Sequence, residues 1–471
     1  MKLQLSVRKV IFTVIILFLI FVLLGCLLPP LFQKKVGNEY KASFSADLSA
    51  EDLTKKERIL CIDDNEEALI WRLRTIEAAE DEIILSTFDF GNDNSGLDMM
   101  SALARAADRG VHIRLFIDGI NGMLKLSNSS YFKALVSLPN VEAKFYNPVN
   151  LMSPWKINYR MHDKYLIADN RIYILGGRNT NDLFLGNYRD KYNIDRDILV
   201  YHAKPEENSS LIQLRKYFDS IWDLPCSHEI MGSGNSKKVQ AAVGYLRDHY
   251  EDVQQMYPQA FEKTDWEEAT MEAESISLCM NSMEPQNKAP ELWYSLYQYM
   301  RQGKDVIIQT PYIICSKDMY EEIAGLCGNG TRLQIVTNAV ENGANPWGCT
   351  DYLNQKNEIL DTGAEVHEVF SDQSLHTKTI LIDDNISIVG SYNLDIRSTY
   401  LDTEMMLVIE SPALNEYLRE RTKEQMEQSK HVLPDGTETY GKNYSEIEMS
   451  FGKKCFYAVL RVIVYPFRYL L

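Results

Sequence analysis

The chain contains short apolar runs that alternate with segments in which apolar residues recur at helical spacing. Residues 66–80 have helical spacing, and the run EIILSTFDF over 82–90 predicts a buried strand. The same alternation predicts a helix over 97–109, which Gly110 ends, and a strand over 112–118. Helices that alternate with strands in this way predict βαβ units and a mostly parallel or mixed sheet.

The same order of elements returns in the second part of the chain. Helical spacing over 290–302 precedes a predicted strand over 305–312. A predicted helix over 316–327 then precedes a predicted strand over 332–337. A whole half of the chain is therefore repeated. Two similar halves are expected to pack about a pseudo-twofold axis, and a cleft between such halves is a common place for a ligand site.

The N-terminus carries a long apolar run without a charged side chain, over 10–32, and its length suits a bilayer span. Three basic residues precede the run and two follow it, which favours a cytoplasmic N-terminus and a body outside the cytoplasm. Two alternatives remain at this stage. They are a cleaved signal peptide and a lipoprotein signal ending at Cys26. We expect a membrane anchor.

One short motif occurs once in each half. A histidine is followed two residues later by a lysine and five residues after that by an aspartate. Six residues then separate the aspartate from a Gly-Gly or Gly-Ser pair, which is followed by one residue and an asparagine. The motif residues are His162, Lys164, Asp169, Gly176, Gly177 and Asn179 in the first copy and His376, Lys378, Asp383, Gly390, Ser391 and Asn393 in the second.

This residue set suits chemistry on a phosphate group. Strand alternation places His162 and Lys164 on the same face. A histidine beside a fixed cation, with an asparagine amide nearby, forms a pocket for a phosphoryl group. Two such sets, brought face to face, place two imidazoles around one phosphorus. One imidazole can then attack the phosphorus while the other protonates the leaving oxygen.

At these residues the chain resembles the phospholipase D superfamily, whose signature is H-x-K-x4-D-x6-G-[GS]-x-N. The second copy continues as Asn393-Leu394-Asp395-Ile396-Arg397-Ser398 and then Asp402-Thr403-Glu404, a run that is similar to the bacterial cardiolipin synthase branch. The resemblance covers about residues 57–430. It implies an α/β fold in which two phospholipase D-like α/β/α sandwich repeats pack pseudo-symmetrically, with an N-terminal transmembrane helix.

The resemblance also implies roles for individual residues. The histidines and lysines of the two motifs are the expected catalytic groups. Asp169 and Asp383 belong to the same motifs, and we expect them to brace the turns that follow. Bonding of the substrate phosphate is expected from Asn179, Asn393 and Ser391. In the superfamily an acidic residue further along bonds a catalytic imidazole, and Asp197 and Glu404 are the candidates for this position.

The implied function is that of a membrane phosphatidyltransferase, cardiolipin synthase-like, which joins a phosphatidyl group to phosphatidylglycerol through a phosphohistidine intermediate. Superfamily precedent favours His162 as nucleophile and His376 as acid and base, although pseudo-symmetry leaves the assignment open. The donor is a second phosphatidylglycerol or another phospholipid such as phosphatidylethanolamine. No cofactor or metal is implied, because two lysines and a cationic histidine supply the positive charge. The sequence identifies no protein partner.

Other functions fit the same motifs. A phospholipase D-type hydrolase would use the same residues with water as the acceptor. A membrane-tethered nuclease would also use them, but the net charge of −17 argues against a nucleic-acid partner. A non-catalytic membrane scaffold has no need of two intact His-Lys sets. The eight scattered cysteines show no spacing typical of a zinc site or of a disulfide framework.

The C-terminal residues 451–471 mix aromatic and aliphatic side chains with four basic residues and contain Pro466. This composition favours a segment at the membrane surface, and the alternative is a last helix packed on the core. The predicted division is 1–36 membrane anchor, 37–56 tether, 57–225 first half, 226–287 connector, 288–430 second half and 431–471 interfacial tail.

Overall fold

The computed structural model describes residues 2–46, 57–204, 206–232, 236–343 and 345–471, with side chains from residue 7 onward. Within these ranges it contains two large sheets of nine strands each. The second half of the predicted tether, residues 47–56, lies outside the described residues. So does the middle of the Gly-Ser-rich stretch of the predicted connector, residues 233–235.

The first sheet has the strand order β10-β1-β8-β6-β5-β2-β3-β4-β9. The β2–β3 and β3–β4 pairs are parallel, and the other pairs are antiparallel. A short strand β7 lies outside this sheet. The strands are β1 Arg58–Ile62, β2 Glu82–Thr87, β3 His112–Asp118, β4 Val141–Tyr146, β5 Tyr165–Ala168, β6 Ile172–Gly176, β7 Asn193–Ile194, β8 Asp197–Tyr201, β9 Ser227–Glu229 and β10 Met271–Glu272.

The second sheet has the order β11-β18-β17-β16-β12-β13-β14-β19-β20, and its parallel pairs are β12–β13 and β13–β14. Its strands are β11 Ser275–Met280, β12 Asp305–Gln309, β13 Arg332–Asn338, β14 Glu365–Val369, β16 Thr379–Ile382, β17 Ile386–Gly390, β18 Met405–Glu410, β19 Ser429–Val432 and β20 Glu438–Tyr440, and the short strand β15 Ser374–Leu375 pairs with β7 outside the sheet.

Helices connect the strands and cover the sheets. Capping side chains begin most of them, as Asp64 does for the helix at Asn65, where its carboxylate accepts two backbone N–H bonds. The helices are α1 Lys2–Leu27, α2 Asn38–Ser43, α3 Asn65–Ala78, α4 Asn94–Asp108, α5 Gly119–Asn121, α6 Ser130–Val136, α7 Ser210–Trp222, α8 Lys237–Met256, α9 Glu291–Met300, α10 Lys317–Gly328, α11 Pro346–Asp361, α12 Ile396–Tyr400, α13 Pro412–Met426 and α14 Phe451–Val464.

Eight of the nine strands of one sheet match eight strands of the other in order. β1, β8, β6, β5, β2, β3, β4 and β9 correspond in order to β11, β18, β17, β16, β12, β13, β14 and β19. One buried cluster joins the inner faces of both sheets with apolar residues of α7 and α13. A second cluster fills the outer side of the first sheet, and a third does the same for the second sheet. The predicted α/β fold of two pseudo-symmetric sandwich repeats is confirmed.

The boundaries between the halves differ from the prediction for 226–287. This segment is not a separate connector. β9 and β10 extend the first sheet, and α8 contributes Val239, Leu246 and Val253 to its outer core. β11, over Ser275–Met280, pairs with β18 and begins the second half. The predicted tail also starts too early, because β19 and β20 are edge strands of the second sheet. Edge strands are short, and their weak periodicity hides them in the sequence.

The N-terminal helix α1 is long and apolar, and the stretch Val7–Leu31 has the length and mean hydropathy, 3.3, of a membrane span. The segment after it is not a free tether throughout. Within α2 and just after it, the rings of Tyr40 and Phe44 pack on Tyr294, and Phe44 also meets Tyr299 edge-on. The Tyr40 hydroxyl lies 2.8 Å from Ser295 Oγ. Residues 38–44 are therefore docked on the second half.

Candidate active site

The two motifs meet at the seam between the halves. Each motif runs through the turn before a central strand, β5 or β16, and into that strand. The lysine side chains are almost completely buried, and the histidine side chains keep 12% exposure at His162 and 20% at His376. Each lysine also acts electrostatically on the histidine of the opposite half. The structure thus brings together the four predicted catalytic groups.

Each imidazole is held by a carboxylate from the other half. His162 Nδ1 lies 2.8 Å from Glu404 Oε1, and His376 Nδ1 lies 2.5 Å from Asp195 Oδ2. A carboxylate at Nδ1 fixes the ring orientation and directs Nε2 to the chemistry. In the second half Lys378 Nζ also lies 3.2 Å from His376 Nε2. The site is therefore complete only when both halves are packed together.

Backbone pairing brings the acids to their histidines. Met161 forms a parallel bridge with Thr403, and one residue later His162 faces Glu404. In the other half Leu375 pairs in parallel with Ile194, and one residue later His376 faces Asp195. The two bridges are equivalent under the pseudo-symmetry, and this equivalence identifies Asp195 as the counterpart of Glu404.

The prediction that Asp197 bonds an imidazole is wrong. Asp197 opposes Gly176 in the β6–β8 pair, as Met406 opposes Gly390 in the β17–β18 pair. Its carboxylate lies 2.9 Å from Arg72 and 3.3 Å from Arg178, all three side chains being buried. Asp195 and Asp197 are two residues apart and share a strand-like alternation, so the sequence alone did not separate them.

The prediction that Ser391 bonds phosphate is also replaced by a different contact. The Ser391 hydroxyl donates to Glu404 Oε2, and the Ser398 hydroxyl donates to Glu404 Oε1 at 2.6 Å. Both hydroxyls therefore hold the carboxylate that holds His162. At the matching place in the first half, a Cβ on Gly177 would lie 2.3 Å from Asp195 Oδ1. Glycine is required there because the shorter carboxylate occupies that space.

The two asparagines of the motifs are buried, and their side-chain oxygens, Asn179 Oδ1 and Asn393 Oδ1, find no hydrogen-bond partner among the described residues. An unpaired buried amide oxygen is costly, and such groups concentrate at ligand sites. Their arrangement is compatible with the predicted contact to substrate, which stays a prediction.

Asp169 and Asp383 lie at the opposite ends of their strands from the histidines. Asp169 accepts backbone N–H bonds from Glu80, Asp81 and Glu82, and it has a φ of +53°. Asp383 repeats the arrangement at 304–305, with a φ of +46°. Asparagine and aspartate tolerate this backbone region better than other side chains do. The carboxylates therefore brace the segments that lead into β2 and β12, and not the turns that follow the aspartates, as was expected.

Burial dominates the electrostatics of the site. It lowers the pKa of His162 well below its usual value, and Lys164 lowers it further. Burial and Lys378 together lower the pKa of His376 to about 4. Burial raises the pKa of Glu404 to about 8. Burial also opposes ionisation of Asp195, but Lys378 and His376 outweigh this effect, and the pKa of Asp195 falls below its usual value. The two His–acid pairs thus differ: the raised pKa of Glu404 favours its neutral form, and the lowered pKa of Asp195 favours its ionised form.

Several residues of the site were not predicted from the sequence. Besides Asp195 and Ser398, two aromatic rings meet the imidazoles edge-on. Phe88 lies 5.0 Å from the His162 ring and Phe184 lies 4.9 Å from the His376 ring, measured between centroids. Both phenylalanines come from the first half. Each ring covers one side of an imidazole. The Phe88 contact lies within the first half, and the Phe184 contact crosses to the second half.

A different cluster, Glu365, His367 and His431, brings three potential metal ligands within 4.8 Å of one another. Its groups are already bonded. Arg332 donates twice to the Glu365 carboxylate at 3.0 Å, and the His367 ring nitrogens lie 3.0 Å from Gln334 Nε2 and Ser429 Oγ. The two imidazoles stack with centroids 4.1 Å apart. This is a hydrogen-bonded contact between β14 and β19.

The fold and the paired site define an enzyme of the phospholipase D superfamily. A family model described as "Cardiolipin synthase, PLD-like domain" matches residues 73–222 and 296–426, which together make up more than half of the chain. The chain belongs to this family of phospholipase D-like cardiolipin synthase domains.

Individual relatives agree with the family. The chain is 24% identical to cardiolipin synthase C of Escherichia coli K12 over 396 residues, which cover 75% of this chain and 82% of that protein. It is 25% identical over 413 residues to an uncharacterised protein of Helicobacter pylori strain 26695, covering 79% and 80% of the two chains. The crystal structure of phosphatidylserine synthase from Haemophilus influenzae Rd KW20 has the same fold, with a TM-score of 0.60, 17% identity and 89% and 98% coverage.

Proposed function

We propose that this protein is a membrane phosphatidyltransferase that joins a phosphatidyl group to phosphatidylglycerol and so makes cardiolipin. The observation that carries the proposal is the crossed pair of His–acid contacts, Glu404 with His162 and Asp195 with His376. Each contact occupies Nδ1, and Nε2 is proposed to meet a substrate phosphorus or oxygen, which at His376 would displace the 3.2 Å contact of Nε2 with Lys378 Nζ. The relatives named cardiolipin synthases supply the substrate class.

The first half-reaction forms a covalent intermediate. Nε2 of neutral His162 attacks the phosphorus of the donor phospholipid, and the bond from phosphorus to the headgroup oxygen breaks. His376, as imidazolium, gives its proton to that oxygen, and the headgroup alcohol leaves. If the donor is phosphatidylglycerol, the leaving alcohol is glycerol. The product is a phosphatidyl group bonded to His162 and a neutral His376.

The second half-reaction transfers the phosphatidyl group. A free hydroxyl of the acceptor phosphatidylglycerol gives its proton to His376, and its oxygen attacks the phosphorus. The phosphorus–nitrogen bond breaks, which regenerates neutral His162 and protonated His376. Every proton and electron pair is accounted for without a further reactant.

The contrast between the two His–acid pairs supports His162 as the nucleophile. Burial and Lys164 keep its imidazole neutral, the form that has a free lone pair at Nε2. His376 faces Asp195, whose carboxyl is kept ionised by Lys378 and by His376 itself. An ionised carboxylate stabilises an imidazolium, as an acid–base catalyst requires. A bound phosphodiester anion would raise the pKa of His376 further from about 4.

Lys164, Lys378, Asn179 and Asn393 are proposed to bind the non-bridging phosphoryl oxygens. The lysines bring positive charge to a buried site, where electrostatic stabilisation of a transition state is strongest. Burial lowers the pKa of Lys164 to about 8, so its ammonium form still predominates at neutral pH. The asparagine amides, whose oxygens have no partner, are proposed to offer N–H groups to the phosphate.

Helix α1 is proposed to be a single-pass anchor in the cell membrane. The apolar stretch Val7–Leu31, which includes most of α1 and the turn after it, has the required length. The basic residues around the stretch favour a cytoplasmic N-terminus and a catalytic body on the other side. Fusion of a reporter to the C-terminus, active only outside the cytoplasm, would test this topology.

The proposed reaction is tested by product analysis. Purified full-length protein is reconstituted into vesicles of labelled phosphatidylglycerol, with and without phosphatidylethanolamine. We expect labelled cardiolipin from the wild type and none from His162→Ala or His376→Ala. His228→Ala is the matched control, because His228 is an exposed histidine on β9 and should leave activity unchanged. A gain in yield with phosphatidylethanolamine would identify that lipid as a donor.

The alternatives give different products in the same assay. Phosphatidate that appears in place of cardiolipin would overturn the transferase and identify a hydrolase. Unchanged lipids together with cleavage of a labelled oligonucleotide would identify a nuclease. Wild-type-like activity in both histidine variants would show that the crossed pairs are not the catalytic groups.

A further inference from the structure

Helix α1 does not stand free of the body along its whole apolar length. From Phe21 onward it runs along the first half. The Phe21 ring meets Trp155 edge-on, with centroids 6.4 Å apart, and a Cβ on Gly25 would lie 2.5 Å from Pro154 Cγ. Glycine at residue 25 is what allows this close approach.

Hydrogen bonds fix the end of the helix. Carbonyl groups at a helix C-terminus have no partner within the helix. Here Asn158 Nδ2 donates to Cys26 O at 2.6 Å, and Asn287 Nδ2 donates to Pro29 O at 2.6 Å and to Phe32 O at 2.8 Å. Tyr159, which follows Asn158 in the chain, donates its hydroxyl to Asn287 Oδ1 and so links the two asparagines. One side of residues 21–32 is therefore attached to the catalytic body, while Leu23, Leu24 and Leu28 on the other side stay exposed.

This attachment leaves too little helix to cross a bilayer alone. The free part of the helix runs from residue 10, directly after the last basic residue, to residue 21, which makes the first contact with Trp155. It contains twelve residues. At a rise of about 1.5 Å per residue they span roughly 18 Å, whereas the hydrocarbon core is about 30 Å thick. The missing distance, on the order of 10 Å, coincides with the part of α1 that runs along the body.

The body surface around this helix is itself apolar. In the loop that contains Trp155, the side chains of Leu151 and Met152 are 49% and 70% exposed, and Trp155 is 42% exposed. Tryptophan is enriched where protein meets the membrane interface. A soluble surface rarely presents such a group of side chains together.

The C-terminal segment provides a second apolar surface at the same place. Residues 465–470 touch Pro29–Leu31, at the end of the apolar run. In α14, Tyr457, Leu460 and Val464 face the core, while the side opposite exposes Phe456, Val459, Val462 and Ile463. The helix is thus apolar on both sides. The alternative of a helix packed on the core describes the first side, and the interfacial segment stays a prediction for the second.

The charge around this surface suits anionic lipid. Residues 451–471 carry four basic and no acidic residues in a chain of net charge −17. Arg468 is neutralised by buried Asp351. Lys453 and Arg461 bond uncharged oxygens, Glu341 O and Asn354 Oδ1 respectively, so each keeps its positive charge. Basic residues beside an apolar helix face favour binding to anionic membranes.

This surface lies at the active-site end of both sheets. The loop with Leu151 and Trp155 follows the C-terminal end of β4, and His162 comes shortly after it in the chain. On the other side, Arg397 N donates to Leu471 O, and its guanidinium donates to Asn158 O and Asp402. Asp402 precedes Glu404 by two residues. One arginine therefore joins the chain terminus, the loop segment and the strand that carries the His162 acid.

We infer that the body is partly immersed in an anionic phospholipid bilayer through one docking face. The docking face consists of Leu151, Met152 and Trp155 in the loop and Phe456, Val459 and Val462 on α14. It sinks into the acyl region by about 5–10 Å, the depth typical of interfacial helices. The active site then opens at the level of the lipid phosphates. The inference rests on the proposed membrane span and goes beyond the proposed reaction.

The experiment measures depth directly in proteoliposomes that contain phosphatidylglycerol. In full-length protein in which the exposed Cys455 and the partly exposed Cys26, Cys61 and Cys327 are replaced by serine, one cysteine at a time is introduced as Met152→Cys, Val459→Cys or Val462→Cys and labelled with an environment-sensitive fluorophore. Asp81→Cys and Asp384→Cys are matched controls, because both residues are exposed at the far end of the sheets. Lipids carrying a nitroxide near the headgroup then act as quenchers.

We expect the three docking-face labels to lose about half of their fluorescence and the two controls to lose almost none. Equal, weak quenching at all five positions would overturn the inference. Shielded, blue-shifted labels that the lipid quencher does not reach would also overturn it and would point to a second copy of the chain on this face. The readout needs no turnover, so its failure is distinguishable from failure of the proposed reaction.

A functional variant completes the test. Val459→Glu with Val462→Glu places two negative charges on the docking face, outside the residues that hold α14 to the core. We expect loss of quenching and at least about a fivefold loss of turnover on vesicle lipid, with unchanged turnover on short-chain lipid in detergent. Unchanged turnover on vesicles, or equal loss on both substrates, would count against immersion.

Discussion

His376 Nδ1 lies 2.5 Å from Asp195 Oδ2, although the two residues belong to opposite halves of the chain. His162 and Glu404 form the mirrored contact at 2.8 Å. Because each catalytic histidine depends on an acid from the other half, neither half can have a complete site on its own. The consequences of this exchange can be tested residue by residue.

Replacement of Asp195 by asparagine should remove most of the activity. Asparagine keeps the size of the side chain but cannot stabilise the His376 imidazolium or enforce its tautomer. The expected loss in kcat is about 10²-fold to 10⁴-fold, by analogy with other His–Asp pairs. Cardiolipin formation under saturating lipid measures it. Asp190→Asn, in the exposed part of the same loop, should behave as wild type, and a similar activity in both variants would contradict the role of Asp195.

Replacement of Glu404 by glutamine should separate stability from activity. Burial raises the pKa of Glu404 from its ordinary 4.5 to about 8. Its contribution to stability is therefore fully present below pH 4.5 and is lost as pH rises through about 8. Glutamine stays neutral at every pH. The Tm of Glu404→Gln relative to wild type should rise between pH 5 and about pH 9. Turnover should fall, because the amide N–H group replaces one of the two oxygens that accept from Ser391 and Ser398 and position His162.

Thermal unfolding in detergent at several pH values measures this effect. Glu251→Gln, at an exposed position of α8, serves as the control and should show no trend with pH. A Tm difference between Glu404→Gln and wild type that stays constant from acidic to alkaline pH would show that the Glu404 carboxyl is not held neutral in the fold.

Features that neighbouring residues determine could be predicted from the sequence, whereas features that depend on contacts between distant segments could not. The strand over 112–118 and the helices predicted over 66–80 and 97–109 follow from local periodicity, and the structure confirms them as His112–Asp118, Asn65–Ala78 and Asn94–Asp108. The motif residues were found because they repeat. The role of Asp195 was not predicted because it is set by the pairing of Ile194 with Leu375. These residues are 181 positions apart in the chain, and local periodicity does not indicate such a pairing.

The same limit explains the error in the boundaries. β11 belongs to the second half only because it pairs with β18, far along the chain. Its sequence, SISLCM, has the composition of a strand, but the composition of a strand does not predict which strand it pairs with. The role of Ser391 depended on Glu404 lying within reach of its hydroxyl, which is again a contact between distant segments.

Replacement of Asn393 by leucine should lower activity without loss of stability. Asn393 Oδ1 is buried without a partner, so removal of the amide costs no hydrogen bond that the folded protein makes at this atom. A buried unpaired oxygen costs about 1–3 kcal/mol, and an apolar side chain of similar size avoids that cost. We expect an unchanged or higher Tm and at least about a tenfold fall in kcat/KM. A large fall in Tm would instead identify Asn393 as a structural residue.

Replacement of Arg196 by methionine, the residue at the equivalent position 405, should loosen the contact between the halves. Arg196 is buried and donates to Asp63 at 2.7 Å and, in the other half, to Gln309 and Thr379 at 2.9 Å. Its loss leaves the partly buried Asp63 carboxylate unpaired, and we expect a destabilisation of about 2–3 kcal/mol.

Chemical unfolding in detergent measures this cost. The double variant Arg196→Met with Asp63→Asn should recover part of the lost free energy of unfolding, because it removes the unpaired charge. Exposed Arg189→Met is the control and should have no effect. If the double variant is no more stable than the single one, the ion pair is not what Arg196 contributes.

The central claim is that two histidines from opposite halves act in turn on one phosphorus, and trapping of the intermediate tests it most directly. Wild-type protein is mixed with labelled phosphatidylglycerol, and the reaction is quenched within the first turnover under alkaline conditions, in which a phosphohistidine bond is stable. The protein is then digested for mass spectrometry. We expect a labelled phosphatidyl group on the peptide that contains His162. Addition of unlabelled phosphatidylglycerol should transfer this group to cardiolipin, and the His162→Ala variant should form no such adduct. Cardiolipin that forms with no covalent adduct on either histidine would contradict the account, and an adduct on His376 would reverse the two roles.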